Sequence, residues 1–151
     1  MKDKPAVFVN TSALFSAIWS DSGGGRMLLK LGEAGIVQPV VSSQVLNEIE
    51  DVLRRKFPRA LPDLALLLDR CRVVFAPKPG PDLMQRSIQM VTHPGDAHII
   101  AAAWSAEVDY LITHDRKHFL DNLSLLKDLP FPLGTPGDFL AWFRDEGFRL
   151  S

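Results

Sequence analysis

The segment from Pro94 to Asp115 constrains the fold most, because it contains a helix start, a helix, a strand and two acids in a short span. Pro94 and Gly95 interrupt whatever precedes them, and Asp96 follows where the partly positive start of a helix favours an acid. Apolar residues then recur at helical spacing, and Tyr110-Leu111-Ile112 is typical of a buried parallel strand. Open α/β sheets bind ligands beside helix starts and strand ends. The segment therefore predicts two carboxylates, those of Asp96 and Asp115, at positions suited to a site.

The size and composition of the chain predict one ordinary globular domain spanning residues 1–151. Contents of 46% hydrophobic and 23% charged residues are typical of soluble proteins. The formal net charge of -1 argues against a surface that binds polyanions throughout, but it leaves room for a local basic patch. Cys71 is the only cysteine, so an intramolecular disulfide is excluded. Because the sequence lacks a signal-peptide core and any run of roughly 20 apolar residues, we expect a cytoplasmic protein with no membrane partner.

Predicted strands and helices alternate along the chain. Apolar runs predict strands at 6–9, 36–41, 73–75, 110–112 and 131–133. Helical periodicity predicts helices at 13–19, 27–34, 45–53, 61–68, 82–91, 96–104 and after 135–138, with a flexible turn at 21–25. The first strand is expected to be central and buried, whereas Pro39 favours an edge or irregular position for the second. The alternation predicts the α/β class with a mostly parallel central sheet.

Four side chains with oxygen atoms fall at comparable places in this predicted sheet. They are Asn10 at the end of the first strand, Glu48 in the helix after the second strand, Asp96 at a helix start and Asp115 after a strand. Because the strand ends of a parallel sheet face one edge, we expect these groups to converge. Converging carboxylates repel each other unless a cation lies between them, and oxygen ligands select Mg²⁺ or Mn²⁺ over zinc. Such a site suits metal-assisted hydrolysis of a phosphodiester, and scattered surface acids are the alternative.

Four short motifs stand in order along the chain. They are VFVNTSALFSA at 7–17, VSSQVLNE at 41–48, DAHIIAAA at 96–103 and DYLITHD at 109–115. Together with the ending TPGDFL at 135–140, these motifs resemble those of PIN domains. The likeness is nearest to the bacterial group of VapC-type toxins and PilT N-terminus-like relatives, and it covers nearly the whole chain.

The resemblance implies a PIN-like three-layer α/β/α fold and a specific activity. That activity is Mg²⁺- or Mn²⁺-dependent endoribonuclease chemistry, with RNA as substrate, of the toxin–antitoxin or RNA-processing type. The resemblance also implies a tendency to form homodimers and, for toxin members, an antitoxin protein as partner. The alternative is a catalytically silent PIN domain that binds RNA or a protein through the same cleft.

Residue by residue, the resemblance assigns Glu48, Asp96 and Asp115 as the catalytic acids that bind the metal ion. Asn10 stands where the family pattern has an aspartate. An asparagine carbonyl can bind a hard cation but brings no negative charge, so Asn10 is expected to complete the metal shell weakly. His93 departs from the pattern as well, because many relatives have a further acid there. Both departures bear on catalysis more than on the fold.

The remaining predicted site residues would contact the substrate. The resemblance implies that Thr11 or Ser12 orients water or phosphate. Arg116 and Lys117 directly follow the last acid and are the nearest basic pair for a phosphate. The basic run at 54–56 has two interpretations, namely contact with RNA phosphates or a favourable interaction with the C-terminus of its own helix.

The four histidines of the chain lie near the predicted site in sequence. They are His93, His98, His114 and His118. The spacing of His114 and His118 would suit zinc on a helix, and contacts to phosphates or bases are a second interpretation. We favour a third, ordinary surface histidines, because His114 is predicted to end a strand.

Overall fold

The computed structural model describes residues 4–20 and 23–146. In this part of the chain five strands form one all-parallel sheet in the order β3-β2-β1-β4-β5. The strands are β1 (Ala6–Val9), β2 (Gln38–Val41), β3 (Val74–Phe75), β4 (Tyr110–Ile112) and β5 (Leu133–Gly134). This arrangement confirms the predicted α/β class and the central position of the first strand.

Helices connect the strands and flank the sheet. They are α1 (Thr11–Trp19), α2 (Gly24–Glu33), α3 (Ser43–Lys56), α4 (Leu61–Arg70), α5 (Pro81–Met90), α6 (Pro94–Ser105), α7 (Leu123–Asp128) and α8 (Pro136–Asp145). None of the helices in the described ranges is both long enough and apolar enough to span a membrane. Of the turn predicted at 21–25, two residues lie outside the described ranges and α2 already begins at Gly24.

The register of the central strands brings the predicted site segments together. Val7, Phe8 and Val9 of β1 are each at most 1% exposed. Within the sheet, Phe8 pairs with Val40 of β2 on one side and with Leu111 of β4 on the other. The ends of β1, β2 and β4 therefore lie side by side, and α1, α3 and the segment after β4 start from the same edge.

The position of Pro39 corrects one sequence interpretation. The second strand is internal, not an edge, because β2 lies between β1 and β3. The Val41 carbonyl accepts a hydrogen bond from Ala76 N, so the backbone groups of residue 41 point toward the β3 side. Because these directions alternate along a strand, the backbone groups of residue 39, two positions earlier, point to the same side. Pairing with β3 begins only at Val40 and Val74, beyond the proline. The missing N–H of Pro39 therefore interrupts no hydrogen bond of the ladder.

Two short helical segments after β4 were not predicted from the sequence. Residues Arg116–Leu120 form one turn of π-helix, and α7 follows. Asp115 caps the first segment by accepting a hydrogen bond from His118 N at 3.0 Å, and Asn122 caps the second through Leu125 N at 3.2 Å. Segments of five or six residues are too short to show a helical period in the sequence.

Two helix starts fix the geometry around the sheet edge as the sequence predicts. Helix α6 begins with Pro94 at its first position, and Asp96 lies in its first turn. Helix α8 begins with a capping box, in which the Thr135 side chain and the Asp138 side chain each bond to the backbone of the other. Phe139 of α8 is fully buried, which ties the end of the described chain to the core.

Candidate active site

A cavity of about 330 Å³ opens where β1 and β4 end. Its polar lining consists of Asn10, Thr11, Ser12, Glu48, Lys56, Asp96 and Asp115. Six of these seven residues are ones that the sequence analysis assigned to the site, and they come from the segments after β1 and β4 and from α3 and α6. The topology thus gathers residues that are more than one hundred positions apart in the chain.

Asn10 is held by two hydrogen bonds at the bottom of this cavity. Its side chain is buried, and its Oδ1 accepts from Thr11 N at 2.7 Å, which caps α1. Its Nδ2 donates to Thr113 Oγ1 at 3.0 Å. Thr113 is fully buried, also accepts from Asp115 N, and lies 3.3 Å from Ser12 Oγ. Thr113, which the sequence analysis did not single out, therefore links the end of β1 to the turn that carries Asp115.

Glu48 is oriented by two neutral donors. Thr11 Oγ1 donates to Glu48 Oε2 at 2.7 Å, and Gln44 Nε2 donates to Glu48 Oε1 at 2.8 Å. The first of these bonds joins α1 to α3, and the second runs between successive turns of α3. Both oxygens of the carboxylate are therefore fixed in direction, as is usual when a protein holds a carboxylate for a cation.

Asp96 and Asp115 meet at a histidine. His118 Nδ1 lies 3.1 Å from Asp115 Oδ2 and 3.7 Å from Asp96 Oδ2. The His118 ring in turn contacts the edge of His93, with ring centroids 4.8 Å apart. The π-helical turn after Asp115 creates this contact, because it folds His118 back over the acid three positions earlier.

His118 is a further correction to the sequence interpretation, which favoured ordinary surface histidines. The residue is only partly exposed and touches two of the predicted catalytic acids. His98 and His114, by contrast, are exposed. The spacing of His114 and His118 does not create a common helix face, since His114 precedes the π-helical turn. A local turn, rather than a helical period, places His118, so periodicity gave no signal for it.

The pKa of Asp96 responds to its burial and to the charged groups around it. Burial raises the pKa of the Asp96 carboxyl above its ordinary value, while His118 opposes this change. The charges of Asp115 and, to a smaller extent, Glu48 raise that pKa further. A buried carboxyl with negative charges near it is stabilised either by binding a proton or by a nearby cation.

Of the two residues predicted to contact phosphate, one is in an ion pair and the other lies beside the acids. Arg116 forms an exposed ion pair with Asp121 at 3.5 Å. Lys117 lines a second cavity, of about 320 Å³, together with His93, Asp96 and His118. Of the two predicted residues, Lys117 is therefore the one beside the acids.

In the basic run at 54–56, the two arginines contact their own helix and the lysine lines the site. Arg54 forms ion pairs with Glu50 and Asp51, and Arg55 Nε donates to the Asp51 carbonyl. These contacts favour the interpretation that the two arginines stabilise the end of α3. Lys56 instead lines the cavity of the acids, so the run contributes one cation to the site.

The donor set fits a hard cation in its chemistry. The cavity offers carboxylate oxygens from Glu48, Asp96 and Asp115 and the amide oxygen of Asn10, which are ligands that Mg²⁺ and Mn²⁺ accept. Within residues 4–20 and 23–146, however, no three His, Cys, Asp or Glu side chains are arranged so that they could hold a metal ion. Two of the acids instead converge on His118.

Comparisons with known proteins agree with the fold and with the order of these segments. The family model described as PIN domain matches residues 6–117. A search of curated proteins finds no match. Among solved structures, VapBC2 from Rickettsia felis, bound to a DNA fragment from its promoter, aligns with a TM-score of 0.63 and 19% identity, over 86% of this chain and 98% of that one.

A second structure is the sarcin-ricin loop cleaving toxin VapC20 from Mycobacterium tuberculosis. It aligns with a TM-score of 0.48 and 20% identity, over 74% of this chain and 91% of that one. The match of the family model covers β1, β2, β3 and β4 and all of the residues that line the acidic cavity except Phe119. The chain therefore belongs to the PIN domain family.

Proposed function

We propose that this chain is a Mg²⁺- or Mn²⁺-dependent endoribonuclease of the toxin–antitoxin or RNA-processing type. The observation that carries the proposal is the cavity at the strand ends of a PIN domain, lined by Glu48, Asp96, Asp115 and Asn10. These four residues would hold the metal ion. When bound, the metal would lower the pKa of a water molecule and stabilise charge on the phosphoryl oxygens.

The other side chains of the cavity have supporting roles in this proposal. The Thr11 hydroxyl donates a hydrogen bond to Glu48, so in this proposal Thr11 positions the carboxylate and does not donate to a phosphate. Ser12 Oγ accepts from His114 N and thereby fixes the turn before Asp115. Lys56 and Lys117 line two different cavities that share Asp96, and they would attract the phosphates on either side of the cleaved bond. Arg116 would add a weaker contact, because it is exposed and paired with Asp121.

The partner assignments belong to the same proposal. The fold resembles a chain of the Rickettsia felis VapBC2 structure, and this supports an antitoxin protein as partner. A homodimer and a cytoplasmic location, where RNA and antitoxin would be met, complete the proposal.

Asn10 favours a second candidate function, a catalytically silent PIN domain that binds RNA or a protein. An asparagine at this position leaves the metal shell with three charges in place of four. Its amide oxygen, moreover, already accepts a hydrogen bond from Thr11 N at 2.7 Å. Metal binding weak enough to prevent catalysis would leave the cleft as a binding surface.

Metal titration and RNA cleavage distinguish the two functions. Mn²⁺ and Mg²⁺ are titrated by calorimetry into the wild type, Asp96→Ala and Asn10→Asp, and cleavage of single-stranded RNA is followed in parallel. Asn47→Asp is the matched control, because it adds the same charge to an exposed position outside the cavity of the acids.

Cleavage by the wild type that requires metal and is lost in Asp96→Ala would support the nuclease. Metal binding and cleavage that appear only in Asn10→Asp, and not in Asn47→Asp, would support the silent domain. If none of the variants binds metal or cleaves RNA, the proposal of a metal site is wrong.

A further inference from the structure

A groove of about 420 Å³ lies next to the acidic cavity and is not used by the proposed chemistry. Phe15 lines both the groove and the cavity, so the two lie side by side. Within the groove, Trp19 and Leu66 are more than 60% exposed. Such large exposed apolar side chains beside a site indicate that something binds there.

An aromatic cluster of Phe15, Trp19 and Phe57 lies at this groove, and the first two residues line it. The ring of Trp19 packs on Phe57 with centroids 4.1 Å apart, and the rings of Phe15 and Trp19 are nearly parallel, at 5°, with centroids 6.4 Å apart. Phe57 supports Trp19 from one side, and 61% of the tryptophan nevertheless remains exposed. A supported and exposed indole is a rigid platform for a flat ligand.

Cations surround the aromatic cluster. Arg26 and Arg70 line the groove with one acid, Asp63, and Lys56 lines the adjoining cavity. Arg26 donates to the Ala17 carbonyl at 3.4 Å, which holds its guanidinium beside α1. Positively charged side chains next to exposed aromatic rings complement a polyanion that carries flat rings.

We infer that the groove is a base-stacking subsite for single-stranded RNA. One base of the substrate stacks on Trp19, and the backbone next to it runs past Lys56 into the acidic cavity. Trp19 lies eight residues beyond Thr11 on α1, about 12 Å along the helix, so the stacked base lies a short distance along the strand from the cleaved bond. The inference rests on the proposed function only in that RNA is the ligand, and stacking itself requires no metal.

Binding without metal tests the subsite separately from catalysis. A fluorescein-labelled single-stranded RNA of mixed sequence is titrated in the presence of EDTA, and its anisotropy is followed. Trp19→Phe keeps an aromatic face, whereas Trp19→Leu keeps apolar surface and loses the aromatic face. Phe75→Leu is the matched control, because Phe75 is a similarly exposed aromatic residue on the distant edge strand β3.

We expect Trp19→Leu to weaken RNA binding about tenfold and Trp19→Phe to weaken it much less. Phe75→Leu should leave the affinity unchanged, and all variants should melt close to the wild type, because both side chains are largely exposed. Arg70→Ala should reduce the slope of log affinity against log salt by about 0.7, the value for one phosphate contact of a single strand.

Equal RNA affinity of Trp19→Leu and the wild type would overturn the inference, and so would the absence of any RNA binding. A protein-docking groove is the other outcome. In that case Trp19→Leu binds RNA normally, while Leu66→Asp lowers the oligomeric state measured by sedimentation. Stacking that depends on Trp19 in a protein that does not cleave RNA would support the subsite and contradict the nuclease.

Discussion

The acidic cavity has two walls that hold their carboxylates by different means. On the first wall, Glu48 accepts hydrogen bonds from the neutral side chains of Thr11 and Gln44. On the second wall, Asp96 and Asp115 share the imidazole of His118, which is charged only when it is protonated. The first wall therefore holds its carboxylate through neutral donors, and the second through an ionisable ring.

Because of this difference, the two walls are expected to respond differently when a metal ion binds. Neutral donors orient Glu48 without competing for its charge, so they would support a metal ion when it arrives. A protonated histidine, however, supplies the positive charge that the metal would supply to Asp96 and Asp115. We therefore expect a metal ion to compete with His118 for the carboxylates of the second wall and with no such group on the first.

Removal of the charge on the first wall should have the largest effect. Glu48→Gln keeps the shape of the side chain but removes one ligand charge, so metal-dependent RNA cleavage should fall by more than about 100-fold, beyond the loss usual for a residue that only supports a ligand. Glu50→Gln is the matched control two positions away on α3, where the carboxylate pairs only with Arg54 among the described ion pairs. Initial cleavage rates at saturating Mn²⁺ measure both. Similar rates for Glu48→Gln and Glu50→Gln would remove Glu48 from the site.

A substitution on the second wall should have the opposite effect to one on the first wall. His118→Gln removes the imidazole that contacts Asp96 and Asp115, so both carboxylates become available to a metal ion and Mn²⁺ affinity should rise several-fold. Thr11→Val, on the first wall, should lower Mn²⁺ affinity by about tenfold, because Glu48 loses a hydroxyl donor that orients it. Calorimetric titrations of the two variants give the comparison. A change of affinity in the same direction for both variants would contradict the distinction between the walls.

The thermal stability of the metal-free protein should reflect the cost of burying the charged carboxylate of Asp96. Because burial raises the pKa of Asp96 in the folded state, this group stabilises the fold at pH values below its ordinary pKa, and the contribution is lost as pH rises through the raised pKa. Asp96→Asn should therefore raise Tm at neutral pH, by about 2–4 °C for a gain on the order of 1 kcal/mol. The side chain is still 18% exposed, which keeps the gain small.

The pH dependence of this gain is the sharper measurement. Thermal melts in EDTA should show the difference between Asp96→Asn and the wild type shrinking as the pH falls, since the wild-type carboxyl is then neutral as well. Asp138→Asn serves as a comparison, because it alters a capping carboxylate of α8 outside both cavities of the site. A wild type that is more stable than Asp96→Asn at neutral pH would show that Asp96 is a favourable structural charge.

The sequence predicts the sheet and the position of most acids because these depend on repeated signals. The apolar runs of β1 and β4 and the capping residues of α1, α3 and α8 are local patterns that packing does not override. The order of strands and helices then places Asn10 and Asp115 at one edge of a parallel sheet. Helix starts and strand ends are thus recognisable without knowledge of any tertiary contact.

The parts that the sequence does not predict depend on contacts between distant segments. His118 reaches the acids only through a π-helical turn, and no period in the sequence marks such a turn. Thr113 joins Asn10 to the Asp115 turn across β1 and β4, and its importance follows from its burial, not from its residue type. Lys56 and Arg54 belong to one basic run, and only the direction of each side chain distinguishes a site residue from a paired surface charge.

The smallest expected effect concerns the basic residues beside the second wall. Lys117 lines the cavity with Asp96 and His118, whereas Arg116 is paired with Asp121. Lys117→Ala should weaken RNA binding a few-fold and reduce the salt slope by about 0.7, as expected for the loss of one phosphate contact. Arg116→Ala should change both quantities less, because an exposed ion pair contributes little and the arginine is already engaged. Anisotropy titrations at several salt concentrations measure the two variants. Equal slopes for both would contradict the assignment of the phosphate contact to Lys117.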